Sequence, residues 1–194
     1  DEWLPMAALH YRWNIDENRQ FALAEFARSG FPWLPAALGR PLIQSMADKM
    51  QSYLSLLGVT KETLPGIEQT VQTVLGCLEA QLQATEFVLG DQPCLGDFAL
   101  FGPLWAHLYR DPDSRFLFED TPSVVRWMNA LSTQPASTGT FLPDDQVPET
   151  LRPLFACILT DQWPWMTTLE HAIDAYCVDN PEATRVPRSL GEAD

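Results

Sequence analysis

Apolar residues recur at steps of three and four along most of this chain, the period of a helix buried on one side. Between Pro41 and Leu57 they are Leu42, Ile43, Met46, Met50, Tyr53, Leu54 and Leu57. Proline suits the first helical position and Gly58 suits the stop, so a helix is predicted over that span. Leu64, Ile67, Val71, Val74, Leu75, Leu78 and Leu82 repeat the pattern, with Glu68, Gln72 and Glu79 on the polar side. That helix is predicted to run to about Thr85, where Gly90-Asp91-Gln92-Pro93 reads as a turn.

From Leu95 to Tyr109 no polar face remains. A helix apolar all round is buried all round, so this segment is predicted as the central helix, kinked at Gly102-Pro103. Further helices are predicted over Asn18–Arg28, Pro122–Leu131, Glu149–Leu159 and Trp165–Tyr176, with Trp3–Trp13 a short helix or a loop. Nothing alternates with period two, so no strand is predicted. The class is all-α: a bundle of seven or eight helices around a central buried helix. Residues 1–178 read as one domain, with extra C-terminal helices over about 149–176. Ser132–Pro148 reads as a linker and 179–194 as a loose tail.

Composition narrows the function. Twelve basic against 26 acidic residues give a net charge of −14 over 194 residues. Such a chain is a poor match for nucleic acid or an anionic membrane, which need clustered Lys and Arg. No apolar run reaches the length of a membrane span. Cys77, Cys94, Cys157 and Cys177 are scattered, without C-x-x-C spacing. They point to free thiols in a reducing compartment, so a cytoplasmic location is expected. His10, His107 and His171 lie far apart, so no metal site is predicted. Asp111/Asp113 and Asp144-Asp145 read as solvated loop charges. Nucleotide-binding and hydrolase signatures are missing.

One local constellation is informative: Gly90-Asp91-Gln92-Pro93-Cys94-Leu95-Gly96-Asp97-Phe98-Ala99. Asp97 stands three residues after Cys94, the spacing of a capping box, where a carboxylate accepts the N–H of the N-cap residue. The helix dipole favours its charge there.

With Phe87-Val88-Leu89 before it, this segment resembles the capping motif of the glutathione S-transferase C-terminal domain. In that family a Gly-Asp turn precedes a Ser/Thr-x-x-Asp box opening the central helix. Leu75-Leu78-Glu79-Leu82 resembles the family's preceding helix, and Thr121-Pro122-Ser123-Val124-Val125-Arg126-Trp127 its proline-initiated next one. The resemblance is closest over about residues 60–131. His10-Tyr11-Arg12-Trp13 and the last two helices resemble a longer bacterial branch of transferase-like proteins. Cys94 replaces the usual Ser or Thr, and a thiol is a weaker acceptor.

The resemblance implies a protein whose thioredoxin-like domain, not seen in these residues, binds glutathione and activates its thiol. This chain would then be the helical half, with Asp1 marking the cut. It would supply the hydrophobic side of a pocket for a small electrophile and part of a domain or homodimer interface. On that reading no catalytic residue lies in this chain, and alone it is not expected to conjugate glutathione. Tyr11, Arg12, Trp13, Trp105 and His107 are the candidate substrate-binding residues. Cys94 and Asp97 are structural caps. Arg12 could instead pair with a carboxylate of a ligand or of the other domain. Trp3 and Trp163-Pro164-Trp165 are candidates for covering an interface. The alternative function is a non-catalytic helical adapter of the same fold.

Overall fold

The computed structural model describes residues 3–133, 138–187 and 190. Its helices are α1 (Trp3–Asn14), α2 (Asp16–Gly30), α3 (Ala36–Tyr53), α4 (Leu64–Leu82), α5 (Leu95–Pro103), α6 (Pro122–Thr133), α7 (Arg152–Cys157) and α8 (Trp163–Asp179). Among the described residues there is no strand, only isolated bridges joining Gly90 to Phe87 and to Phe141. The architecture is the all-α one expected. The chain divides into two compact units, residues 1–154 and 155–194, with the boundary inside α7.

In the first unit α4 carries the core that its periodicity predicts. Ile67, Val71, Val74, Leu75, Leu78 and Leu82 are all buried. The unit's centre, however, also holds a helix that the apolar pattern left undecided. α1 packs against α2, α3, α4 and α5. Its Leu4, Ala7, Ala8 and Tyr11 are buried, and so are the polar His10 and Arg12. Those polar residues broke the sequence signal, yet they lie inside because partners satisfy them.

α3 corrects the predicted stripe. The helix starts at Ala36, so Pro41 lies within it rather than at its head. Ala47 and Leu54 are buried, whereas Leu42, Met46, Tyr53 and Leu57 are exposed. The reason is the small-residue contact with α2. A Cβ added at Gly39 would stand 3.0 Å from the Ala27 Cβ, so the two helices meet through Gly and Ala. The helix turns Gly39 and Ala47 inward and leaves Leu38, Leu42 and Met46 outward.

The predicted central helix is α5 followed by a π-helical turn over Leu104–Tyr109. Asp97, Leu100, Leu104 and Leu108 are buried at steps of three and four. The expected burial on all sides does not occur, because Leu95 is 84% and Phe98 54% exposed. Nothing in the described chain covers that side. The predicted break at Pro103 takes the form of a widened turn, with the Arg110 amide bonding the Trp105 carbonyl five residues back at 3.2 Å.

A 3-10 segment over Pro112–Phe118 follows, a segment the sequence did not suggest. Part of the predicted linker, residues 134–137, lies outside the described residues. The rest is held at one point: the Asp91 amide bonds the Thr140 carbonyl at 2.9 Å and the Leu142 amide bonds that of Leu89 at 2.8 Å. In the second unit a π turn over Ile158–Gln162 runs into α8, and no residue of α8 is buried. Among the described residues no helix is long and apolar enough to cross a membrane.

Candidate functional site

The head of α5 is built around one carboxylate. Asp97 is fully buried. Its Oδ2 accepts the Cys94 amide at 2.8 Å, and its Oδ1 accepts the Val88 amide at 2.9 Å and the Trp127 indole N–H at 2.8 Å. The Cys94 sulfur completes the capping box in return. A buried carboxylate with no cation beside it is tolerated because three N–H donors and the helix N-terminus share its charge. Burial and the Asp97 carboxylate push the Cys94 thiol up, and nearby backbone N–H groups offset this only in part. That leaves the thiol poorly set to act as a nucleophile. Both oxygens of Asp97 are occupied by structure, so the residue locks the Phe87–Leu95 turn to α5 and α6.

A second carboxylate does the same for α6. Glu79 of α4 accepts the Ser123 and Val124 amides at 2.8 and 3.1 Å. Burial acts to raise its pKa, but the bonds from Ser123, Val124 and Gln83 outweigh it and the net direction is down.

The candidate binding residues gather where the end of α1 meets the π turn. Arg12 is buried, and its guanidinium grips Asp111 with two bonds of 2.8 and 2.7 Å. The same group donates to the Ala106 carbonyl at 2.7 Å. In the widened turn the Arg110 amide bonds Trp105 and His107, and the Asp111 amide bonds His107. Neither reaches the Ala106 carbonyl, and Arg12 satisfies it instead. Asp111 is therefore no solvated loop charge. It is fully buried, because Arg12, 99 residues away in sequence, neutralises it. Asp113 stays exposed, with its amide held by Asn18 at 2.7 Å.

Tyr11 and Trp13 flank Arg12 and are buried. Tyr11 meets the Phe116 ring, while Trp13 stacks on Phe26 of α2. Trp105 is half-buried and stacked on Phe101, with the Arg110 guanidinium carbon 5.3 Å from the Trp105 ring centroid. His107 is half-buried as well. Burial first, and the Arg12 charge second, push its pKa from 6.5 down to about 4. Among the described residues its Nδ1 meets no hydrogen-bond partner, and neither does the buried Trp13 indole N–H. The structure thus gathers Arg12, Trp105 and His107 around one turn, and sends Tyr11 and Trp13 to its flanks. Sequence reading missed Asp111 and Trp127, whose roles depend on partners far along the chain.

A groove of about 590 Å³ opens elsewhere, between α4, the 3-10 segment and the start of α6. Gln72, Gly76, Glu79, Phe116, Glu119 and Asp120 line it, and none of the candidate binding residues does. Its acidic rim does not suit an apolar electrophile. The described residues contain no group of three or more His, Cys, Asp or Glu placed to hold a metal. None of Cys77, Cys94, Cys157 and Cys177 forms a disulfide among the described residues.

No solved structure matches this chain. Residues 46–135, which run from the later part of α3 through α6 and include both carboxylate caps, match the family described as glutathione S-transferase, C-terminal domain. This helical segment of the chain belongs to the glutathione S-transferase C-terminal domain family.

Proposed function

We propose that this chain is the substrate-side, helical part of a glutathione S-transferase-like protein. A thioredoxin-like partner domain would bind glutathione and deliver its thiol. The helical part would hold a small hydrophobic electrophile and contribute to the domain and dimer interfaces. The observation that carries this reading is the open apolar side of α5. Leu95 and Phe98 are exposed on α5, which lies within the segment that matches the family. Phe101 and the half-buried Trp105 and His107 continue that region into the π turn.

In this reading Trp105 and His107 meet the ligand, with His107 neutral at pH 7 and thus a hydrogen-bonding rather than a charged neighbour. Tyr11 and Trp13 back the site from α1. Arg12 contributes by fixing the π turn. No glutathione-activating residue is assigned to this chain, and its cellular compartment is taken to be the reducing cytoplasm.

Titrating the purified chain with an apolar electrophile such as a chlorodinitrobenzene, without glutathione, should quench tryptophan fluorescence saturably. Trp105→Ala should weaken that binding. With glutathione added, the isolated chain should show no conjugation above the uncatalysed rate. Turnover by the isolated chain, or binding indifferent to Trp105→Ala, refutes this assignment. A second reading, a non-catalytic adapter, is favoured by the unburied α8. It predicts no electrophile binding at all.

A further inference from the structure

The groove beside α4 exists because side chains are missing from one side of that helix. Gly76 and Ala80, about one turn apart, line it. A Cβ added at Gly76 would meet nothing within 4 Å. The space left open is about 590 Å³, within the range of about 300–1,000 Å³ found for small-molecule sites. Phe116 and Leu117 of the 3-10 segment form its apolar wall, and the Phe116 ring is left 55% exposed.

Three carboxylates charge the rim: Glu79, Glu119 and Asp120. Glu79 is occupied at both oxygens, with Oε2 accepting the Ser123 and Val124 amides and Oε1 the Gln83 side-chain amide at 3.2 Å. Glu119 and Asp120 are exposed, and among the described residues their carboxylates meet no ion pair or hydrogen bond. No Lys, Arg or His is among the described residues that line the groove. Arg126, which follows closely in α6, is spent on the Leu82 carbonyl at 2.7 Å.

We propose that this groove binds a small organic cation, its ammonium group at Glu119 and Asp120 and its apolar body over Gly76 against Phe116. The lining selects that class over the others. An anion would face three carboxylates with no basic residue to offset them. A neutral apolar molecule would fill the floor but leave two carboxylates partly desolvated and unpaired. A metal ion finds no group of three His, Cys, Asp or Glu placed to hold it among the described residues. An ammonium on an apolar body answers each part of the groove. Its charge meets the free carboxylates, its body covers the open floor, and an aromatic face stands beside it.

The test is ligand-observed NMR titration of the purified chain with three probes of one shape: 2-phenylethylammonium, 2-phenylethanol and phenylacetate. The ammonium should bind saturably, and the alcohol and the anion about fivefold or more weakly. Combined Glu119→Gln and Asp120→Asn should weaken the ammonium by about the same factor. Gly76→Leu, which fills the floor, should abolish its binding. All three positions are exposed, so thermal melts should show both variants folded. No binding of the ammonium by the wild-type chain overturns the proposal. So does equal binding of the three probes, or an affinity that either variant leaves unchanged. Trp105→Ala should leave the ammonium's affinity intact, and its loss there would place the cation at the Trp105 ring and refute the groove. Electrophile binding is read at Trp105 and cation binding at Gly76, so the two readings stand or fall separately.

Discussion

The Asp97 cluster sets the strongest quantitative demand on this fold. Replacing Asp97 by Ala strands three N–H donors. The Cys94 amide is half-buried and can turn to water, but the Val88 amide and the Trp127 indole are enclosed. Each buried donor left unpaired costs about 1–3 kcal/mol, so two cost about 2–6 kcal/mol. Loss of the cap adds about 1 kcal/mol. The total is a large share of the roughly 5–15 kcal/mol that holds a domain together. Asp97→Asn is milder, because Oδ1 can keep the Val88 and Trp127 bonds while the new NH₂ faces only the Cys94 amide. It should lose about 1–2 kcal/mol. Cys94→Ser should gain a little, since a hydroxyl accepts better than a thiol. Urea unfolding followed by far-UV circular dichroism measures all three. The reasoning fails if Ala and Asn destabilise equally, which would make the charge rather than the hydrogen bonds decisive. It fails also if Cys94→Ser lowers stability.

Three further outcomes are expected. Glu79 titrates below its ordinary 4.5 in the folded chain, so its contribution is present above that value and is lost as pH falls through the lowered one; Glu79→Gln should flatten the acid limb of stability against pH. His107 is the opposite kind of group with the same sign: pushed from 6.5 to about 4, it makes the unfolded chain bind more protons in that window, so Tm should fall as pH drops from 6.5 towards 4. His107→Gln should remove part of that slope, and an unchanged slope would contradict its burial. Gly76 sits in α4 with nothing within 4 Å of an added Cβ, so Gly76→Ala should stabilise by about 0.5–1 kcal/mol; Gly90→Ala should destabilise sharply in the same melts, because its Cβ would lie 2.4 Å from the Thr140 carbonyl at a φ of +137°.

What could be read from sequence was whatever short-range periodicity controls. α4 and α6 followed from runs of large apolar residues on one side, and the Cys94-x-x-Asp97 spacing placed the cap correctly. The inward side of α3 is hidden in the sequence because its packing is set by Gly39 against Ala27, and small residues leave no mark on a hydrophobic pattern. The buried place of α1 does not show in its sequence because His10 and Arg12 look like surface residues until their partners are known. Trp127 was assigned only to a helix start, since nothing local shows that its indole reaches a carboxylate 30 residues away.

The same logic bears on Arg12, the most conspicuous charge among the candidate binding residues. An arginine beside two aromatics invites a ligand carboxylate, but here the guanidinium already holds Asp111 with two bonds and the Ala106 carbonyl with a third. Removing it would leave Asp111 buried and uncompensated, a loss of about 3–5 kcal/mol, and would strand the carbonyl that the π turn leaves open. The segment matched to the family begins at residue 46, so this clamp ties a helix from outside the matched segment to the turn that carries Trp105 and His107. α1 is thereby a part of the fold's centre. An Arg12 substitution therefore acts first on the shape of that turn.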